Sequence, residues 1–493
     1  MANNEKLNPR ERAALEEAKK MRKSRAKYIV VGVIVALLIV AVIVINSSLF
    51  TNSFAAMKVG DTKYTVADGN YAYQAAYMNF YQQYGSYMSY LVDTSKPLSE
   101  QECLFDANGG SWRDYFLGLA EQNLLETTAY YNEAVKQGYT LTEDDLAEID
   151  AMIDSYKSFA SQNGYSLNGY LAAYFGEGND EKNIRKNLKR EMIVDAFIDD
   201  LYDSFTFTDA EIDARYTEHE DEYDLVNYSY VVFAAAADEE NGITLDAAMA
   251  EAEQSAKAVL TEMDGDDLAA FTLSAAAASE SGASETNSTV ASFMERYGEA
   301  VTKEELTEGT VFTAEEGSAW YAIYVKGTDD NDYTLRNVRH ILVKAVDEDE
   351  DGVYSDAEKQ AALTAIEAIR DEFLAGDQTE ESFAALANEK SEDEGSNTNG
   401  GLYENIVKGQ MVPEFNDFCF EDHQSGDLGI VYGESSAYAG YHLIYFVSEG
   451  ENYRSQIAEN DLVNESFTNA CTALTEPYTA EKTGMWRYVM KGM

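Results

Sequence analysis

Proline is nearly missing from this chain. There are four in 493 residues, where ordinary usage of roughly 5 % would place about 25, so turns must be built from Gly, Asn, Asp and Ser. Cysteine is as scarce: Cys103, Cys419 and Cys471 are too few and too scattered for a disulfide framework or a zinc site. Histidine occurs four times, at 219, 340, 423 and 442. Cations are also short, with 36 Lys+Arg against 89 Asp+Glu and a net charge of −53. Nucleic-acid binding rests on clustered cations, so nucleic acid is excluded as a partner. What the chain does have is apolar and aromatic material. With 45 % hydrophobic residues, 35 Tyr and 21 Phe it can fill packed cores despite its charge, in about three domains.

The charge is unevenly placed. Residues 1–27 hold five Lys and four Arg against four Glu, a net of +5, which leaves −58 for the rest. Tyr28 to Ile45 then form an uncharged apolar run of about 27 Å at helical rise. With Arg22, Lys23, Arg25 and Lys27 before it, this predicts a transmembrane helix over 28–50, a cytoplasmic basic tail over 1–27, and an acidic bulk outside the membrane. A cleaved signal peptide is the alternative, because Ser53, Ala55 and Ala56 follow. The run, however, exceeds the 7–15 residues of a usual signal core.

Residues 57–66 predict a hairpin turning at Gly60-Asp61. A largely helical region then extends over 51–224, with Ser111, Thr142 and the Thr208/Glu211 pair as caps and Gly138 as a stop. Tyrosines at 71, 73, 77, 81, 84, 87 and 90 suit either a helix–helix core or an amphipathic surface that grips varied partners. Past residue 224 a strand–helix–loop–strand pattern occurs twice, over 225–332 and 333–450. From Tyr230 to Gly265 is 35 residues and from His340 to Gly376 is 36, which suggests a repeated domain. A helical tail is expected over 451–493.

The second copy carries a chain of motifs. Val338-Arg339-His340-Ile341-Leu342-Val343-Lys344 reads as a strand, followed by an amphipathic helix with Leu363, Ile366, Ile369 and Phe373 on one face. Ser391-Glu392-Asp393, Asn399-Gly400-Gly401-Leu402, Gly409-Gln410-Met411-Val412-Pro413-Glu414-Phe415 and Gly440-Tyr441-His442-Leu443-Ile444 come next. In this order and spacing residues 337–447 resemble the parvulin family of peptidyl-prolyl isomerases. With an anchor and a helical N-terminal region, the layout resembles extracytoplasmic foldases of the PrsA and SurA type. The resemblance implies an α+β chain: a transmembrane helix, a helical chaperone-like domain, and two parvulin-like modules, each an antiparallel four-stranded sheet with flanking helices. It also implies an isomerase and foldase for unfolded or newly secreted proteins with X-Pro bonds, needing no cofactor.

By the same resemblance Leu402, Met411 and Phe415 match the proline pocket. His340 and His442 match a pair of histidines facing each other across the sheet, and Asp393 stands beside the carbonyl of the rotating bond. Ala437 and Ala439 occupy places where relatives often carry a hydroxyl, and Gly401 replaces a frequent Asp, departures expected to weaken the polar network. In the first copy Tyr230 falls at the place of His340 and Trp320 at that of His442, and no Gly-Gln-Met run appears. That copy is therefore expected to be degenerate. A non-catalytic holdase, with both modules as binding platforms, is the alternative function.

One motif lies outside this scheme. Asp347, Asp349, Asp351 and Glu358, with Gly352 at the turn, fulfil the expression of a calcium loop. A strand precedes it where a helix belongs, and Ser355 with Glu358 makes a capping box that explains Glu358 without metal. Calcium remains a candidate ligand, in the extreme as the stabiliser of a surface binding protein. The acidic run also disfavours phosphorylated substrates beside the site.

Overall fold

The computed structural model describes residues 33, 35 and 48–490, apart from 107–108, 239–240, 349–351 and 436–437. The expected transmembrane helix thus lies almost wholly outside the described residues, as do Asp349, Asp351 and Ala437. Among the described residues no helix is long and apolar enough to cross a membrane. The chain divides into two compact units, one of residues 1–206 with 465–493, the other of 207–464.

The first unit is mainly helical. Strands β1 (Ala55–Val59) and β2 (Thr62–Thr65) form the expected hairpin, and Gly60 at φ +56° supplies the left-handed turn residue. The helices Val66–Tyr84, Trp112–Gln137 and Glu143–Gln162 start at capping boxes on Thr65, Ser111 and Thr142. Each box satisfies backbone donors that a helix start leaves unpaired, and Gly138 ends the second helix at φ +95°. The tyrosine-rich segment serves two purposes. Tyr71 and Tyr73 are buried and Tyr77 and Tyr84 pack on the core, whereas Tyr81, Tyr87 and Tyr90 are exposed. The tail is helical over Tyr453–Thr475 and then adds a strand, Ala480–Lys482, which pairs antiparallel with β1. Trp486, Val489 and Met490 enter the core formed by Tyr73, Trp112 and Phe116. The chain's last described turn is therefore part of the first unit's core.

The second unit holds two antiparallel sheets of the same design. In the first, β3 (Leu225–Ala234), β4 (Ser284–Thr289), β5 (Val311–Glu316) and β6 (Ala319–Asp329) lie in the order β4-β3-β6-β5. In the second, β7 (Thr334–Lys344), β8 (Leu402–Ile406), β9 (Leu428–Glu434) and β10 (Ala439–Asn452) lie in the order β8-β7-β10-β9. Two helices separate the first and second strands of each sheet: Leu245–Thr261 and Leu268–Ala278, then Asp356–Ala375 and Glu380–Lys390. A short helix joins the second and third strands: Val290–Tyr297, then Pro413–Phe420.

Alternation along the strands feeds two cores per sheet. In the second sheet Ile341, Leu443 and Tyr445 pack on Ile366, Phe373 and Phe383 of the paired helices. Val338, Ile444 and Phe446 face Phe415 and Phe418 of the short helix. The first sheet repeats this with Val231, Ala322 and Tyr324 on one face and Val226, Ile323 and Phe293 on the other. A helical extension, Asp209–Glu218, starts at the Thr208/Glu211 capping box and is held by Arg215, whose guanidinium lies 2.7 Å from Asp461.

Candidate active site

His340 on β7 and His442 on β10 come together because the strands are neighbours with a fixed register. His340 is opposite Ile444 and His442 opposite Leu342; opposite residues share a face, so the two imidazoles meet on the diagonal. Their Nδ1 atoms are 3.1 Å apart, the rings stack at 5.2 Å, and the residues are 2 % and 3 % exposed. Phe415 closes the apolar side, edge-on to both rings at 5.4 and 5.2 Å.

The turn after helix Glu380–Lys390 brings Asp393 to the other end of His340, with Oδ2 2.9 Å from Nε2. Ser396, fully buried, reaches the same Nε2 at 3.1 Å and donates its hydroxyl to the Asp393 carboxylate. Tyr403 donates to that carboxylate at 3.1 Å. His340 foremost, with the Ser396 hydroxyl and the Gly395 N–H, holds the Asp393 carboxyl well below the usual carboxylate range against the opposing effect of burial. Burial, assisted by His340, lowers His442 to about 3, so that ring is neutral at ordinary pH. His442 Nε2 lies 3.0 Å from the Tyr438 hydroxyl, its Nδ1 shares a hydrogen bond with His340 Nδ1, and His340 Nε2–H donates to the Asp393 carboxylate.

Of the residues read from sequence, His340, His442, Asp393 and Phe415 converge directly. Met411 is half-buried against the Phe415 cluster. Leu402 is half-buried at the start of β8, opposite Arg339. Its neighbour Tyr403, opposite Val338, packs with Ile406 of the same strand against the Phe415 cluster. Ser396, Tyr403 and Tyr438 were not singled out from sequence. Tyr438 stands between Ala437 and Ala439, so the hydroxyl expected to be missing there is supplied by the intervening residue. Gly401 is required by geometry: its φ is +71° and a Cβ would stand 2.2 Å from the His340 carbonyl oxygen. Gly433 leaves room for the imidazole itself, since a Cβ there would lie 2.7 Å from His442 Nε2.

The first sheet corrects one expectation. Tyr230 is opposite Ile323 as His340 is opposite Ile444, so the counterpart of His442 is Tyr321, two residues before Ile323. Trp320 pairs with Phe233 and packs on the opposite, helix-covered face. A one-residue offset changes face in a strand. The Tyr230 and Tyr321 rings lie 5.9 Å apart, in the same diagonal relation as the two histidines.

The acidic loop offers its own account of Glu358. Its carboxylate accepts the Ser355 backbone N–H and hydroxyl at 2.7 and 2.8 Å and the Glu348 N–H at 2.6 Å, and these bonds lower its pKa. Asp347 accepts the Gly352 N–H at 2.9 Å. Among the described residues no group of three or more His, Cys, Asp and Glu is placed to hold a metal ion.

Residues 321–449 match the family model of the PPIC-type PPIase domain. The chain is similar to a foldase protein PrsA of Exiguobacterium sibiricum, 30 % identical over 135 residues, which is 27 % of this chain and 41 % of that protein. The chain thus spans about two-fifths of that curated relative's length. Similar solved structures include the peptidylprolyl isomerase PrsA of Bacillus cereus, at 16 % identity and a TM-score of 0.19 over 77 % of this chain and 91 % of that one. Another is PrsA of Bacillus subtilis, at 13 % and 0.26 over 80 % and 93 %.

Proposed function

We propose that this chain, whose residues 321–449 are a parvulin-type isomerase domain, is a foldase that catalyses cis–trans exchange of X-Pro bonds in secreted proteins. Residues 28–50 anchor it in the cell membrane, with residues 1–27 in the cytoplasm. The observation that carries the reading is the buried His340–His442 pair closed by Phe415 and tied to an ionised Asp393.

Peptide rotation is opposed by about 18–20 kcal/mol of amide resonance, and that resonance places negative charge on the carbonyl oxygen. The proline ring enters the slot of Met411 and Phe415, with Leu402 and Tyr403 at its edge. Asp393, kept ionised by three donors, lies beside the carbonyl and opposes charge build-up there. The planar ground state suffers more than the twisted form, which has lost its resonance, so the barrier falls. The two imidazoles move no proton; they fix the carboxylate and the floor of the slot in a dry setting. Exchange of a short X-Pro peptide followed by NMR tests this, with wild type and His340→Ala side by side. No catalysis by the wild type would sink it.

A second reading, a holdase with the modules as platforms, draws support from the exposed Tyr81, Tyr87, Tyr90, Leu104 and Phe105 of the first unit. It expects suppression of client aggregation to survive His340→Ala and to fail when residues 57–222 are removed. In either reading the β3–β6 sheet is a parvulin-like module that has lost its site. Calcium at Asp347, Asp349, Asp351 and Glu358 is an accessory proposal, resting on the loop's sequence alone.

A further inference from the structure

Cations are rare after residue 27, with 27 Lys+Arg in 466 residues (36 less the nine of the tail). Five of them fall between positions 182 and 190: Lys182, Arg185, Lys186, Lys189 and Arg190. All lie on helix Glu181–Asp203 of the first unit. Lys182, Arg185, Lys186 and Lys189, with Asn168, line a surface concavity of about 680 Å³; Asp180 and Glu181 are the acidic members of its wall, which leaves the lining at +2 in a chain of −53. Some of this charge is answered internally. Arg185 pairs with Glu181 and Asp150, Lys186 with Asp68, and Arg190 bonds the Tyr64 hydroxyl. Lys182 and Lys189 are exposed, and their ammonium groups make no ion pair or hydrogen bond among the described residues. Two free ammonium groups thus border a hollow whose backbone N–H groups are already used: Asp180 caps Asn183, and Asn168 accepts the Glu181 N–H.

The position of this hollow is informative. It is continuous with a second hollow of about 430 Å³ that shares Lys182 and Lys186 and is bordered by Asn52. Asn52 donates to the Gly178 carbonyl at 2.9 Å, which ties the start of the first unit to the loop before the cationic helix. Asn52 is seven residues past Ile45, a span of about 10 Å at helical rise. If residues 28–50 span a membrane, as proposed above and as this inference requires, Asn52 emerges at the headgroup layer and the lysines meet it at once.

We propose that the concavity lined by Lys182, Arg185, Lys186 and Lys189 seats the phosphates of anionic lipid headgroups on the outer face of the membrane that holds the anchor. The contact sets how the first unit is presented to that surface. A −58 body is repelled by an anionic bilayer, so an orientation that turns its densest cationic helix to the lipid is the one that association with such a bilayer selects.

The test uses the full chain in lipid nanodiscs, with lysine side chains labelled by a membrane-impermeant acylating reagent and read by mass spectrometry. Discs rich in phosphatidylglycerol should slow labelling at Lys182 and Lys189 about fivefold relative to phosphatidylcholine discs. Molar salt should abolish the difference. The double substitution K182Q/K189Q should remove the slowing at Lys186 without changing disc incorporation. Equal labelling in the two discs, with the chain incorporated, overturns the inference and leaves the anchor standing. Equal protection by free glycerophosphate with phosphatidylcholine discs also overturns it, by making the site one for soluble phosphate. Failure of the chain to enter discs at all removes the anchor and this inference with it.

Discussion

The β3–β6 and β7–β10 sheets share strand order, helix placement and the two-faced division of their cores, yet among the described residues only the second has an acid–imidazole network. The difference lies partly in two side chains, with Tyr230 and Tyr321 where His340 and His442 stand. It lies more in two connections. Eleven residues, 391–401, link helix Glu380–Lys390 to β8, whereas five, 279–283, link helix Leu268–Ala278 to β4. Six residues, 407–412, separate β8 from its short helix, whereas β4 runs directly into helix Val290–Tyr297. The long connections carry Asp393, Ser396 and Met411. The framework is maintained by apolar alternation, which tolerates exchange of one bulky residue for another. The partners of the two strand histidines, Asp393 and Ser396, sit in a loop, and loops vary without cost to the core.

The largest expected effect sets the sheets apart by activity. His340→Ala should lower kcat/KM for an X-Pro peptide on the order of 10²-fold, as loss of one fixed donor does elsewhere. Tyr230→Ala should leave that rate unchanged. Equal losses in the two variants would mean that the first sheet takes part in catalysis.

Next comes stability at left-handed glycines. Gly401→Ala places a Cβ 2.2 Å from the His340 carbonyl at φ +71°, and should cost about 1–3 kcal/mol through overpacking and strain. Gly317→Ala, at φ +61° in the first sheet with nothing within 4 Å, should cost about 1 kcal/mol or less. Denaturant unfolding of both variants measures the gap, and a Gly317 variant as damaged as the Gly401 one would remove the crowding argument.

A pH response should follow. His442 is lowered from 6.5 to about 3, so between those values the unfolded state binds the proton and the folded state does not. Stability therefore falls as pH drops from about 6.5 toward 3, by at most about 1.4 kcal/mol per pH unit. Asp393, also depressed, stabilises above its unfolded value of about 3.9 and adds its loss only below that. His442→Tyr, which installs the first sheet's residue, should flatten the upper part of this window. Melting curves at pH 7, 5.5 and 4.5 on the two proteins report it, and parallel curves would argue against a buried neutral His442.

Smallest is the calcium response. Because Glu358 already accepts three hydrogen bonds from its own loop, millimolar calcium should add no more than about 0.4 kcal/mol, the effect of ligand at its own Kd. A melting temperature raised by several degrees would instead establish the loop as a binding site.

Local signals were legible in the sequence. The caps at Ser111, Thr142 and Thr208 and the turn at Gly60 are set by neighbours three or four residues away. The ordered motifs around His340 and His442 are local in the same way, and the two rings they carry meet in the fold. Contacts across the fold were not legible. Trp320 was placed one residue from the true counterpart, Tyr321, because register is decided by pairing between strands. No motif marks Tyr438, because its bond to His442 depends on how the chain turns into β10. The first unit's closure by Trp486 and Val489 likewise joins residues more than 400 positions apart.

By itself the sequence determined the division of charge into a basic tail and an acidic body, the helical and strand texture, and the ordered motifs that resemble the parvulin family. Periodicity, caps and composition are properties of short stretches of chain. Only the tertiary structure decided that Gly401 must be glycine, that Tyr438 completes the imidazole chain, and that lysines 130 residues from Asn52 border the same hollow. Those facts are distances between atoms far apart in sequence, and they exist only once the backbone has packed.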